Sequence, residues 1–247
     1  MARKTKTSRS ASKPARNRLL DPVVALLFWI RRWMLRLILV PLALVIALVL
    51  LFSVVNPPIT HTMWVEYGKY GKLDRNWTPF EAMAPVVVRS VVAAEDANFC
   101  QHWGFDLAAI RAAIDAGATR GGSTISQQVV KNVFLWQGRS WTRKALETAI
   151  TPLVEAVWSK RRILEVYLNV AEVGAGVFGV EAAARRNFDV AARDLTARQA
   201  ALIAATLPAP RSRSAANPSD RVRRRAAAIQ DGAATIRADG RADCFED

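Results

Sequence analysis

The 247-residue sequence predicts a mainly α-helical domain carried behind a single N-terminal membrane helix. Three observations lead there. Residues 37–55, "LILVPLALVIALVLLFSVV", run without a charge, and as a helix they would span about 28 Å, close to the hydrocarbon core of a bilayer. From Pro85 onward the chain is rich in Ala and Leu, with helix-period apolar spacing and few turn dipeptides. The net charge of +14 is concentrated at the ends: residues 1–36 carry ten Lys or Arg against Asp21 alone, whereas residues 57–210 carry seventeen basic and fourteen acidic side chains.

A near-neutral domain argues against a nucleic-acid partner, which would need a basic groove. The basic leader fits the positive-inside rule instead. Residues 1–36 are then cytoplasmic, 37–55 span the membrane, and the remainder lies outside. A cleaved signal peptide is disfavoured, because the apolar run is long and no A-x-A-like site follows in "SVVNPPITHT". The earlier apolar piece "VVALLFWI", 23–30, is too short to span and is expected along the membrane surface. The connection from Asn56 to Pro85 is expected to be irregular, with Met63, Trp64, Tyr67 and Tyr70 either at the lipid interface or packed on the domain.

Helices are predicted over 85–95, 106–118, 124–135, 140–158, 160–170, 177–187 and 196–206. Ser123 is the expected N-cap of the third and Thr196 of the last, which Pro208 and Pro210 stop. One domain is expected over 57–220, followed by a basic tail, 221–247, as a partly ordered helix. Two distant cysteines, Cys100 and Cys244, give no framework pattern. An oxidising compartment would permit a bridge, but Cys100 reads more simply as a small buried hydrophobe. His61 and His102 are the only histidines, too few for a zinc-type ligand set.

Three stretches carry chemistry-bearing residues. "VVAAEDANFCQHWGFD", 91–106, ends an apolar run in Glu95 and Asp96 and adds His102 and Asp106. In "GGSTISQQVVKNVFL", 121–135, Thr124, Gln127, Gln128 and Lys131 share an arc of about 100° on a helix, apart from Ile125, Val129 and Val133. Polar side chains after a Gly-Gly turn suit an anionic ligand at a helix N-terminus; an ordinary exposed face is the competing reading. In "GRSWTRKALETAI", Arg139, Arg143 and Lys144 crowd a helix start against its dipole, with Glu147 one turn on. A phosphate or pyrophosphate would supply the missing negative charge, as would acidic residues elsewhere in the fold. Further along, Ile163, Leu164, Tyr167 and Leu168 read as core, and Gly174, Gly176 and Gly179 as a flexible or tightly approached turn.

In order, "AAEDANFCQHWGFD", "GGSTISQQVVKN", "RKALE", "KRRILEVYLN" and "LTARQAALIAATLPAPR" followed by "NP" resemble the glycosyltransferase family 51 domain of peptidoglycan polymerases. The likeness covers residues 85–218 and is closest to monofunctional members, which lack a transpeptidase region. It implies a mainly α, lysozyme-like fold with a small membrane-associated lobe, in the bacterial inner membrane with a periplasmic catalytic domain. The implied substrates are lipid II and the growing undecaprenyl-pyrophosphate-linked glycan. The implied reaction joins the acceptor GlcNAc 4-hydroxyl to the donor MurNAc C1, with inversion and loss of undecaprenyl pyrophosphate.

By the same resemblance Glu95 is the general base and Glu147 the second catalytic carboxylate. Lys131 and Arg139 meet the pyrophosphate, with Arg143 and Lys144 adding to that field. Ser123, Thr124, Gln127 and Gln128 contact substrate. Asp96, His102 and Asp106 are expected to hold the loop's shape. A divalent cation, Mg2+ or Mn2+, at the pyrophosphate is left open, as are partners among other cell-wall synthesis or division proteins. Two departures stand out: Ser126 where many members have Thr, and Cys100 where an aromatic is common. The alternatives are a lytic transglycosylase or lysozyme-like enzyme, which needs no cationic cluster, and an inactive membrane-anchored scaffold, which would not retain Glu95 and Lys131.

Overall fold

The computed structural model describes residues 20–115, 117, 122–138 and 140–246, and places side chains from Val24 onward. The chain divides after Val45, and Ile46–Asp247 forms one compact unit. Helix α1 (Leu20–Phe52) is continuous through Pro41, and its segment Val24–Phe52 is long and apolar enough to cross a membrane. The surface piece expected at 23–30 is therefore the first part of this same helix. Arg31, Arg32 and Arg36 interrupt the hydropathy but, being good helix formers, not the backbone.

The end of α1 is anchored inside the compact unit. Trp158 Nε1 donates to Val49 O at 2.7 Å, and Val49 is fully buried. The Arg162 guanidinium donates to Phe52 O at 3.0 Å and Val55 O at 2.9 Å, satisfying carbonyls that a helix end leaves orphaned. Then comes α2 (His61–Tyr70), where an irregular connection was expected. It starts with Thr60 accepting from Met63 N and stops at Gly71 in the left-handed region. Of its aromatics, Trp64, Tyr67 and Tyr70 are exposed, while Met63 is core.

Strand β1 (Asp74–Arg75) follows, then α3 (Pro85–Glu95), α4 (Leu107–Asp115), α5 (Ile125–Phe134), α6 (Trp141–Val157) and α7 (Lys160–Val170). Strands β2 (Glu172–Gly174) and β3 (Val177–Phe178) precede α8 (Val180–Phe188) and α9 (Ala197–Thr206). The helix predicted from 177 begins three residues later because Val177 and Phe178 pair instead, parallel to β1 and antiparallel to β2. Gly179 makes that switch possible. Its φ is +86°, and a Cβ there would stand 3.1 Å from Asn169 O. Asn169 is spent nearby, accepting from Thr78 N at 2.8 Å and donating to Thr78 O at 2.9 Å.

Helix α5 packs on α2, α6 and α7. Its Ile125, Val129 and Val130 are fully buried, together with Ile163, Leu164 and Val166 of α7 and Val87 and Val92 of α3. Each such burial stabilises the fold by about 1.5–3 kcal/mol. Residues 221–247 are not a separate tail. Helix α10 (Asp220–Ala238) packs on α3 and α9 through Val222, Ala226, Ile229, Ala233 and Ile236, a helix-period stripe among the arginines. Gly232 lets it approach until a Cβ there would lie 3.4 Å from Ala93 Cβ. Helix α11 (Asp243–Glu246) buries Phe245 and carries Cys244, which is bonded to Cys100. The reading of Cys100 as a plain hydrophobe is thus corrected.

That bond links residues 144 apart in sequence, a long loop to close in the unfolded chain. Replacing both cysteines by serine is expected to cost about 2–5 kcal/mol, read as a lowered urea midpoint. An unchanged midpoint would mean that α10 and α11 are held by packing alone.

Candidate active site

Helix α3 begins with Pro85 at its first turn and buries Val87, Val88, Val91 and Val92. That face fixes the helix, so its last residue, Glu95, emerges at a defined place. Asp96 ends the helix at φ −162°, ψ 70°, and its carboxylate turns inward. Asp96 Oδ1 lies 2.8 Å from His102 Nε2, and Oδ2 accepts from Ile125 N at 2.9 Å. The second contact ties the end of α3 to the start of α5. Asp106 does similar work for α4, accepting from Ala109 N at 2.8 Å and Asn98 Nδ2 at 3.0 Å. The Ala109 amide is the main cause holding the Asp106 carboxyl below its ordinary value, with Asn98 assisting.

Two adjacent carboxylates thus part company. Glu95 Oε2 accepts from Gln128 Nε2 at 3.1 Å, and Tyr167 OH donates to Gln128 Oε1 at 3.2 Å. Burial pushes the Tyr167 phenol well above its ordinary range, so it stays a donor and fixes the Gln128 carboxamide. The other oxygen, Glu95 Oε1, is buried and has no hydrogen-bond partner among the described residues. Burial is the main cause raising the Glu95 carboxyl; Gln128, Arg225 and Lys131 oppose it. Such a group is a better proton acceptor than an ordinary exposed carboxylate.

Lys131 lies one turn beyond Gln128 on α5. Burial lowers its ammonium below the ordinary value, while Glu147 and Glu95 pull the other way. No hydrogen bond or ion pair to the Lys131 side chain occurs among the described residues. Helix α6, capped by Ser140, brings in the rest of the cluster. Glu147 is buried and receives Arg143 and Lys144 at 2.5 Å each. Lys144 also donates to Ser123 Oγ at 3.1 Å, and Arg143 to Gly138 O at 2.8 Å. Glu147 thus pairs with two cations and Lys131 adds a third that it does not contact, which leaves this end of the site with a surplus of positive charge. Arg139, expected here, lies outside the described residues.

The polar arc of α5 divides in two. Thr124, not Ser123, is the N-cap, and it forms a reciprocal capping box with Gln127. Both are buried, and Thr124 Oγ1 also donates to Gly104 O at 2.7 Å. Of the four residues expected to contact substrate on this stretch, Thr124 Oγ1 and Gln127 Oε1 share the cap, and Gln128 bonds to Glu95. Ser126 donates to buried Glu155, which also accepts from Lys160 at 2.9 Å.

Sequence reasoning missed two contributors. Tyr167 read as core, and it is core, but its hydroxyl on an apolar face was the signal of a further role. Arg225 was assigned to the tail. Among the described residues there is no group of three His, Cys, Asp or Glu side chains placed to hold a metal. The two Glu147 oxygens are already taken by cations, so the donor set does not fit a protein-held divalent ion.

Residues 63–234 match the family model described as Transglycosylase. A protein of Jannaschia sp. (strain CCS1) named biosynthetic peptidoglycan transglycosylase is 62% identical over 215 residues, 87% of this chain and 90% of that protein. Proteins of the same name from Rhodospirillum centenum (47% identical, 83% of this chain and 90% of the relative) and Caulobacter vibrioides (43%, 87% and 96%) are also similar.

A raised carboxyl has a thermodynamic signature. Because the folded pKa of Glu95 exceeds the unfolded one, the fold favours its neutral form. That contribution is present below the unfolded pKa and is lost as pH rises through the folded pKa. Glu95→Gln should therefore stabilise the fold near neutral pH, by on the order of 1 kcal/mol for each pKa unit, read as a raised Tm. The gain should disappear near about pH 4, where Glu95 is largely protonated in both states. Thermal unfolding at the two pH values checks this; an equal effect at both would place the carboxyl in an unperturbed setting.

Proposed function

The chain belongs to the transglycosylase family, and from that premise we propose that it is a peptidoglycan glycosyltransferase that polymerises lipid II during cell-wall synthesis. The observation that carries this reading is the Glu95 carboxylate, with one oxygen steered by Gln128 and the other unpartnered, in the field of a cation cluster built around Glu147. A sugar 4-hydroxyl is a poor nucleophile at neutral pH. Glu95 takes its proton as the oxygen attacks C1 of the donor sugar and the bond from C1 to the pyrophosphate oxygen breaks. The attack comes from the face opposite the leaving group, so the configuration inverts.

Pyrophosphate leaves without protonation, provided its growing charge is met. Lys131, Arg143 and Lys144 supply that charge from fixed positions, in surroundings where it counts for more than in water. Ser123 orients Lys144, and Glu147 keeps Arg143 and Lys144 together against their mutual repulsion. Arg139 is assigned to the same pyrophosphate on the strength of its place in the family motif. Mg2+ or Mn2+ is not assigned a step, since the carboxylate nearest the cations is fully engaged.

We assign the basic residues 1–36 to the cytoplasm and the catalytic unit to the periplasmic side, with α1 crossing the inner membrane. The charge asymmetry around α1 supports this. So does the Cys100–Cys244 bond, which persists in oxidising compartments. A lipid-borne donor and a membrane-anchored enzyme then meet at the same leaflet.

Purified protein given lipid II should yield glycan polymer. Glu95→Gln should lower the rate by about 10²–10⁴-fold with the helical circular dichroism retained. Lys131→Met should lower turnover by about 10²-fold or more without loss of stability, because it removes a part-buried charge that no described acceptor pairs with. Polymerisation by the Gln variant at the parent's rate would remove Glu95 as base.

A further inference from the structure

We propose that Arg225, an exposed side chain on α10, is a positioning residue for Glu95: it caps the end of α3 and brings a positive charge to the side of the base that α10 faces. The inference rests on the assignment of Glu95 made above and extends it to a part of the chain outside the motifs that suggested that assignment.

The geometry is local. Arg225 reaches from α10 to the last turn of α3 and donates to Ala94 O at 3.4 Å, the carbonyl immediately before Glu95. On the other side of Glu95, Arg241 donates to Ala97 O at 3.2 Å. Three residues further on, Cys100 is bonded to Cys244. The segment 94–100, which carries the base, is thus gripped at three points by the last part of the chain. The close approach of Gly232 to Ala93 keeps α10 in register for these contacts.

A helix C-terminus carries partial negative charge, which discourages a carboxylate at its last residue. Asp96, next in sequence and buried, pushes the same way. Against these stand Gln128 and Lys131 from α5 and Arg225 from α10. Tyr167 from α7 is neutral and acts through Gln128. Arg198, from α9, lines another surface with Arg223 and Leu202. Without Arg225 the opposition to burial falls to one hydrogen bond and one largely buried lysine, whose charge is also engaged by Glu147. The base would then hold its proton to higher pH and be inactive at neutrality in a larger share of molecules.

The test uses the full-length protein in detergent with lipid II. Initial rates are measured across pH for the parent, Arg225→Gln, Arg225→Lys and Arg223→Gln. Arg223, two residues away, pairs with Asp220 and serves as the charge-loss control. The expected result for Arg225→Gln is an acid limb displaced upward by about half a pH unit or more, with a several-fold lower rate at neutral pH and convergence on the parent at high pH. Arg225→Lys should restore most of the midpoint, and Arg223→Gln should track the parent. In parallel, carbon-13 NMR of the Glu95 carboxyl in substrate-free protein should report the same upward shift.

An Arg225→Gln variant with the parent's midpoint in both measurements overturns the proposal. So does a rate loss uniform across pH, which would mean that Arg225 only packs. The NMR measurement separates this from failure of the base assignment. If Glu95→Gln polymerises at the parent's rate, that assignment falls, while the carboxyl shift still reports whether Arg225 acts on Glu95.

Discussion

The contact on which the site depends is the Asp96 carboxylate at the start of α5. It joins segments 29 residues apart: the end of the helix that delivers Glu95, and the helix that delivers Gln128 and Lys131. Glu95 immediately precedes Asp96, and Gln128 and Lys131 follow Ile125 within two turns, so this one joint sets the spacing between base and cations. Its surroundings leave no slack. Thr124 Oγ1 reaches Gly104 O, Lys160 bonds to His102 O and Glu155, and Ser126 bonds to Glu155. Gly104 must be glycine, because a Cβ there would stand 2.6 Å from the Thr151 methyl. Removing one partner from such a buried set strands a charge, at a cost of about 3–5 kcal/mol.

Asp96 answers the helix dipole at the N-terminal end of α5, and Lys131, further along, lies in the field of Glu147, Arg143 and Lys144 from α6. Neither end is arranged for stability. Glu95 keeps a buried oxygen without a donor, and Lys131 is largely buried without an acceptor among the described residues. Both departures carry a desolvation cost that packing elsewhere must offset. Groups held this way are poised for a ligand that brings a hydroxyl to one end and negative charge to the other.

The sequence made some of this legible and hid the rest for identifiable reasons. Helices 85–95 and 160–170 agree with the structure to the residue, because proline at one start and serine at the other coincide with strong apolar periodicity. The spacing of Thr124 and Gln127 is itself a capping-box signature, and it places the cap on Thr124 and not on Ser123. Helix α2 was obscured by Gly68 and a mixed polar and aromatic composition that gives little amphipathic signal. Residues 221–247 looked like a tail because four arginines crowd their first five positions, although alanine, valine and isoleucine at helical spacing carry the packing. The disulfide could not be deduced from two distant cysteines. Tyr167 and Arg225 act on Glu95 only because α7 and α10 fold back onto α3 and α5, which local patterning does not encode.

The second carboxylate distinguishes a polymerising site from a glycan-cleaving one. Breaking a bond between two sugars requires protonation of a poor leaving oxygen, and glycosidases that use two carboxyl groups set one to donate that proton and the other to act as nucleophile or base. Glu147 cannot fill the second part: both its oxygens accept from cations, Arg143 on one and Lys144 on the other, and it is buried beneath them. Its arrangement instead concentrates positive charge that it only partly neutralises. A leaving group needing no proton but carrying several negative oxygens matches that surplus, and pyrophosphate is such a group. Glu95 is then left with a single proton to move, from the incoming hydroxyl, and a raised pKa makes one buried carboxylate a competent acceptor for it.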